Sequence, residues 1–170
     1  RPTSRAAVTA LHALGVRTVL LSGDNVHAAR AIGAEAGVDD ARGAQLPEDK
    51  AAAIAELRAR GGAGGMGGDG INDAPALASD IGFAMGAAGS DTAIETADVA
   101  LMDDDLGKVA RFVRLSRATH RVLVQNITFA IGIKVVFFAL TLTGLGTMWM
   151  AVFADVGTSL LVVANGLRLL

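Results

Sequence analysis

The stretch GGDGINDAPALAS, Gly67 to Ser79, sets two carboxylates and a carboxamide within five residues, Asp69 to Asp73. Like charges that close repel unless something neutralises them. A magnesium ion takes one or two carboxylates together with phosphate oxygens and water, so Asp69 and Asp73 suit a shared Mg²⁺ beside a phosphate. Gly68 and Gly70 let the backbone come close to such an ion. Asn72 is placed to orient a phosphoryl group or the Asp side chains, and Pro75 suits the first turn of a following helix. A surface Asp-Gly turn explains one pair of these residues but not the whole string.

The flanking sequence has the rhythm of a doubly wound α/β domain. Arg5 to Leu14 carries Ala6, Ala7, Leu11 and Leu14 on a helical period and stops at Gly15. VRTVLL, Val16 to Leu21, is a short apolar run of the kind buried in parallel sheets. Ser22 to Asn25 then turns into a second helix, Val26 to Ala36, closed by Gly37. After an LPEDK loop, a third helix runs from Lys50 to about Ala59. A strand is due just before the acidic loop, yet six of the eight residues Gly61 to Gly68 are glycine, and that composition favours a loop. IGFAMG (Ile81–Gly86) and DVALM (Asp98–Met102) read as further strands, with a brief helix between them capped by Ser90 or Asp91.

Charge is distributed unevenly over the 170 residues, of which 52% are hydrophobic. Beyond residue 121 only Lys134, Asp155 and Arg168 are charged. From Leu106 the pattern is helical, with Lys108, Arg111, Arg114, Arg117 and Arg121 among apolar residues. The run Ile127 to Leu145 follows, about 28 Å long as a helix and close to the hydrocarbon thickness of a bilayer. A second apolar run extends from Trp149 to about Leu167. The competing interpretation is a buried hairpin of a soluble protein. The basic approach segment and the uncharged Gly144–Trp149 connection instead fit the positive-inside rule, with residues 1–121 in the cytoplasm. The expected organisation is therefore an α/β domain part over 1–105, a basic amphipathic helix over 106–126, and two transmembrane helices over 127–170, at about 127–145 and 149–167.

A net charge of −2 argues for no polyanionic partner, and no basic, aromatic-laced patch suggests nucleic acid. No cysteine is present, so disulfides and thiolate metal sites within this chain are excluded. The first residue is Arg1 and no signal segment opens the sequence, so a piece of a longer protein is expected.

Two more loops offer phosphate chemistry. Ser22-Gly23-Asp24-Asn25 presents a hydroxyl and backbone N–H groups at a strand-to-helix turn, a cradle for phosphoryl oxygens, although the same residues also make an ordinary helix cap. Lys50, at a helix start, is either simply solvated or a compact positive charge for the same phosphoryl group.

Taken in order, SGDN, LPEDK and GDGINDAPAL resemble the TGD, P-x-D-K and hinge motifs of the P-type ATPases, in particular the heavy-metal-transporting branch. Ser22 stands where the family usually has threonine. The resemblance extends through IGFAMG, DTAIETADVALM and both apolar runs. It implies a haloacid-dehalogenase-like phosphorylation domain in which an aspartate of a D-K-T-G-T motif accepts the γ-phosphoryl group of ATP. By this resemblance Ser22, Gly23, Asp24 and Lys50 belong to the phosphoryl site, Asp69 binds Mg²⁺, and Asn72 and Asp73 complete it. The sequence holds no D-K-T-G-T, so the chain alone is expected not to form a phosphoenzyme. The actuator domain, nucleotide-binding domain and earlier spans of the pump are the partners implied.

Charges inside a bilayer are costly and usually functional. Lys134 and Asp155 form either a structural ion pair, with Lys134 alternatively reaching to the interface, or part of an ion path. ADVGTS resembles the D-x-G signature of the zinc, cadmium and lead subgroup. Asp155 is then a ligand of the transported divalent ion and Lys134 its counter-ion. His12, His27 and His120 lie outside both runs, so further ligands are expected upstream, by resemblance from a Cys-Pro-Cys element. A non-catalytic truncated or split chain that binds Mg²⁺ or a partner subunit is the alternative. A soluble phosphatase of the same superfamily is a third, disfavoured by the absent nucleophile and the two spans.

Overall fold

The computed structural model describes residues 2–61, 64–68, 80–85, 95–101, 103 and 105–169. They fall into two compact units, residues 1–111 and 112–170.

The first unit alternates helices and short strands: α1 (Pro2–Ala13), β1 (Val19–Leu21), α2 (Val26–Ala36), β2 (Asp40–Arg42), α3 (Pro47–Gly61), β3 (Gly65–Gly68), β4 (Ile81–Met85) and β5 (Val99–Leu101). Local chemistry sets the helix limits. Asn25 caps α2, its side chain accepting from Ala28 N at 2.8 Å. Gly37 closes the helix at φ 78°, a conformation that glycine adopts without steric cost. The third helix begins three residues before Lys50, because Pro47 fits a first helical position and Asp49 turns back to accept from Leu46 N at 3.0 Å. The expected LPEDK loop is therefore largely the first turn of α3.

Among the described residues all strand pairs are parallel. β1 pairs with β2, and β3–β4–β5 form a second sheet in that order. One device recurs at all three pairs. Asp39, Asp80 and Asp98 each stand one residue before a strand, and each accepts from the backbone N–H of the residue in register with it on the neighbouring chain segment. The bonds are Thr18 N to Asp39 at 2.7 Å, Gly64 N to Asp80 at 2.9 Å and Gly82 N to Asp98 at 2.9 Å. Each aspartate thus ties off a donor at the entry of a parallel pair and fixes its register.

The glycine run corrects the sequence-based expectation of a loop. Gly65 to Gly68 is strand β3, paired residue for residue with Ile81 to Ala84. Composition misleads here because the register is held from outside the run. Asp80 anchors its entry while also binding Arg58 of α3 at 2.5 Å. The Phe83 ring lies over Gly65, where an added Cβ would stand 3.3 Å from it. Strand β2, Asp-Ala-Arg, was not anticipated because no apolar run marks it. Its Arg42 bridges Asp40 at 3.0 Å and Glu56 of α3 at 2.9 Å, and the bond from Arg42 holds the Glu56 carboxyl below its ordinary pKa.

Among the described residues the buried apolar side chains of this unit are mostly alanines, with Val8 and Phe83. So small a core depends on close backbone approach. An added Cβ at Gly33 would stand 2.6 Å from the Ala41 side chain, and one at Gly43 2.6 Å from Val26 Cα.

The second unit holds most of α4 (Gly107–Leu142) and all of α5 (Met148–Gly166), followed by a 3₁₀ turn (Leu167–Leu169). Thr147 caps α5, accepting from Met150 N at 3.3 Å. Both helices are long and apolar enough to cross a membrane, as expected from the two runs. Their large apolar side chains are exposed: Val135, Phe138, Phe153, Leu160 and Val163 are each more than half accessible.

Candidate functional site

Ser22 directly follows β1, and its N–H continues the ladder by donating to Arg42 O at 2.9 Å. Its hydroxyl donates to the Asp24 carboxylate at 2.9 Å, and Asp24 N donates back to that hydroxyl oxygen at 3.2 Å. This small ring fixes the turn in which Gly23 is exposed. Two backbone bonds then join the turn to the loop after β2: Gln45 N donates to Ser22 O at 3.0 Å, and Ala44 N to Asp24 O at 2.5 Å. Ala44 holds φ 55° there, a left-handed conformation that a non-glycine residue adopts only when its surroundings require it. Gly43 lies flat against the start of α2, where a side chain would meet Asn25 and Val26 backbone atoms at 2.6–2.9 Å.

Because this second loop leads straight into α3, the Ser22 turn and the helix that carries Lys50 are joined through three consecutive residues, Ala44 to Leu46. Lys50 is half-buried one turn into that helix, with its N–H on Leu46 O at 3.1 Å. Sequence reasoning singled out Ser22 and Lys50 but missed Gly43, Ala44 and Gln45, which connect them. Their only signal was a glycine after a charged strand.

Asp69, Asn72 and Asp73 lie outside the described residues. In sequence Asp69 directly follows β3, as Ser22 directly follows β1. Parallel α/β sheets bind ligands beyond such carboxyl ends. Among the described residues no group of three His, Asp or Glu side chains is close enough to hold a metal ion.

In the second unit Lys134 and Asp155 are exposed, and neither forms an ion pair among the described residues. The helices face each other across an apolar groove of about 390 Å³ lined by Ile133 and Phe137 of α4 and by Ala154, Gly157 and Thr158, among others, of α5. Thr158 is buried and its hydroxyl donates within its own helix, to Ala154 O at 2.6 Å. Towards the basic end of α4 lies a polar cluster that the sequence did not announce. Asn165 Nδ2 donates to Asn126 Oδ1 at 2.9 Å and Gln125 Oε1 at 3.3 Å; Asn126 Nδ2 donates to Val162 O at 3.4 Å, and Arg168 donates to Asn165 Oδ1 at 3.2 Å.

A parallel α/β unit with paired turns at strand ends, continued into two apolar helices, defines a haloacid-dehalogenase-like domain part joined to membrane spans. Residues 1–79 match the haloacid dehalogenase-like hydrolase family. The whole chain is 51% identical over 172 residues to a probable cadmium-transporting ATPase of Staphylococcus aureus, and 48% identical over 171 residues to the zinc/cadmium/lead-transporting P-type ATPase of Escherichia coli K12. It spans 21% and 23% of the length of these two curated relatives. A crystal structure of a zinc-transporting PIB-type ATPase in the E2·Pi state superposes on 99% of this chain and 28% of that one, with a TM-score of 0.92 and 46% identity. A deoxy-D-mannose-octulosonate 8-phosphate phosphatase of Haemophilus influenzae shares only the fold, at 18% identity and a TM-score of 0.61. Over its whole length the chain is thus similar to the C-terminal part of zinc-, cadmium- and lead-transporting P-type ATPases. Its two long apolar helices are accordingly those of a multi-pass membrane protein.

Proposed function

We propose that this chain is the C-terminal part of a pump that exports Zn²⁺, Cd²⁺ or Pb²⁺ across the cell membrane, driven by ATP through a phospho-aspartate. The observation that carries this reading is the near-50% identity, over 100% of the chain, to relatives named as cadmium- and zinc-transporting ATPases.

The phosphoryl acceptor belongs to a D-K-T-G-T strand outside this sequence. Among the described residues β1 has no ladder on the edge away from β2, nor β3 on the edge away from β4. A strand inserted between those two edges would deliver its aspartate beside Ser22 and Asp69. There the Gly23 N–H holds a phosphoryl oxygen, and the Ser22 hydroxyl joins it by turning its proton from the Asp24 carboxylate to the phosphoryl group, while Asp24 N still donates to the hydroxyl oxygen. The Lys50 ammonium offsets the charge of the transferring group, and the backbone tie through Gln45 keeps α3 at the Ser22 turn. Asp69, Asn72 and Asp73 form an all-oxygen donor set that fits Mg²⁺, with Asp69 as ligand and Asn72 and Asp73 completing the site. When bound, that ion neutralises charge on phosphoryl oxygens.

In the membrane unit Asp155 supplies one carboxylate ligand to the transported ion, and Lys134 is the counter-charge when the ion has left. A carboxylate is an accepted Zn²⁺ ligand alongside nitrogen or sulfur donors, which upstream spans would provide. Residues 1–121 then lie in the cytoplasm, as the arginines at 111, 114, 117 and 121 require. In the complete pump, Asp155→Ala abolishes zinc-stimulated ATP hydrolysis; unchanged stimulation rejects the assignment.

A further inference from the structure

We propose that Gln125, Asn126, Asn165 and Arg168 form a register latch that positions Lys134 and Asp155 level with each other across the hairpin. The inference rests on the assignment of Asp155 to the transported ion and names what sets that site's geometry.

The two helices are joined by a five-residue connection and run antiparallel. Over most of their facing length they meet across the apolar groove, whose one hydroxyl is bonded within its own helix. Apolar contact is non-directional, and in lipid there is no water to drive one apolar face onto another. A slide by one helical turn, about 5.4 Å, exchanges one apolar ridge for the next at little cost. Hydrogen bonds between carboxamides do not tolerate such a slide, since their geometry fails within an ångström. A single polar pair fixing the register of otherwise apolar helices is an established use of such side chains. Here Asn165 bonds two residues of α4, Asn126 bonds a backbone carbonyl of α5, and Arg168 holds the Asn165 oxygen.

The register so fixed has a consequence for the charged pair. Lys134 lies eight residues beyond Asn126, and Asp155 lies ten residues before Asn165. At a rise of about 1.5 Å per residue these are about 12 Å and 15 Å from the latch, so the two stand at the same depth to within about 3 Å. They also share a flank. Lys134 is one residue past the groove-lining Ile133, and Asp155 one past the groove-lining Ala154. Each step turns the helix by about 100°, and in antiparallel helices the same step carries both side chains to the same side of the hairpin. A one-turn slide leaves them on one flank but, in the direction that adds to their present offset, separates them in depth by about 8 Å.

The 170-residue chain has no cysteine, so Ile127→Cys and Val152→Cys, both at exposed positions, accept spin labels selectively. In lipid nanodiscs the intact latch gives a single narrow label–label distance. Asn126→Leu combined with Asn165→Leu shifts or splits that distance by about 5 Å, one helical turn. An unchanged distribution overturns the proposal. Should the double variant fail to insert, Arg168→Gln carries the same test: a broadened distribution is expected, and an unchanged width overturns it. In the complete pump Asn165→Leu raises the metal KM at least about tenfold, as a misplaced ligand requires, with kcat within about threefold. A fall in kcat at unchanged KM overturns the positioning role. If labels report the slide while Asp155→Ala leaves metal stimulation intact, the ion assignment fails and the latch stands.

Discussion

Replacing Asp80 by Ala tests how a strand made of glycine is held, and through it how the acidic loop is delivered. Asp80 is mostly buried, its side chain 23% exposed, and it accepts from Gly64 N at 2.9 Å and from Arg58 at 2.5 Å. Hydrogen bonds to a charged group contribute about 1.5–3 kcal/mol, and the Arg58 partner, half in solvent, adds about 0–1 kcal/mol. The alanine variant should therefore lose about 2 kcal/mol locally, because β3 has little side-chain packing to compensate. Local opening of β3 and β4 is the readout, followed by native-state hydrogen exchange of the Met66, Gly67 and Phe83 amides. A loss of about 2 kcal/mol corresponds to roughly 30-fold faster exchange there, with amides of β1 and α2 little changed. Asp80→Asn keeps one acceptor oxygen and should fall between the two. If exchange in β3 changes less than threefold in Asp80→Ala, the register of the glycine strand is not set by this carboxylate and the reasoning is wrong.

Three further outcomes are expected. Gly43→Ala forces a methyl to within 2.6 Å of Val26 Cα and 2.9 Å of Asn25 backbone atoms, none of which can rotate away; a destabilisation of about 1–3 kcal/mol in chemical denaturation, with loss of phosphorylation in the complete pump, is expected. Asp39 is held below its ordinary pKa chiefly by the Thr18 N–H, with further bonds from the Thr18 hydroxyl and His12. A depressed folded pKa means that this stabilisation is full above the unfolded value near 4 and is lost as pH falls through the lower folded value, so Asp39→Asn should flatten the acid limb of a stability–pH profile below about pH 4. Lys50→Ala in the complete pump should lower phosphorylation from ATP by about two orders of magnitude with the fold intact by circular dichroism, since in the proposed function it removes the charge that offsets the transferring group.

The α/β rhythm and both spans were legible because each is written in local chemistry. Asn25 and Gly37 bound α2 as read; the basic segment from residue 106 and the first apolar run form one continuous helix, α4, and the second run forms α5. The sequence pattern starts the third helix three residues late, because a proline marks a loop as readily as the first helical turn that Pro47 occupies. The glycine strand was misjudged for a different reason: its stability comes from Asp80, Arg58 and Phe83, which composition within the run does not register. The Ser22 turn was recognised from its residues, whereas its tie to α3 runs through backbone atoms of Ala44 and Gln45 and leaves no side-chain signature. The carboxamide cluster was invisible for the same kind of reason, because Asn126 and Asn165 meet only once two distant helix ends are folded together.

The central claim is that the crowded carboxylates after β3 serve phosphoryl transfer at a magnesium ion. Acid-stable labelling of the complete pump by γ-labelled ATP, measured against Mg²⁺ concentration for the unaltered protein and for Asp69→Ala, tests it directly. Labelling should saturate with Mg²⁺ in the former and be absent in the latter at the same concentrations. Equal labelling of both, with the same dependence on Mg²⁺, would contradict it.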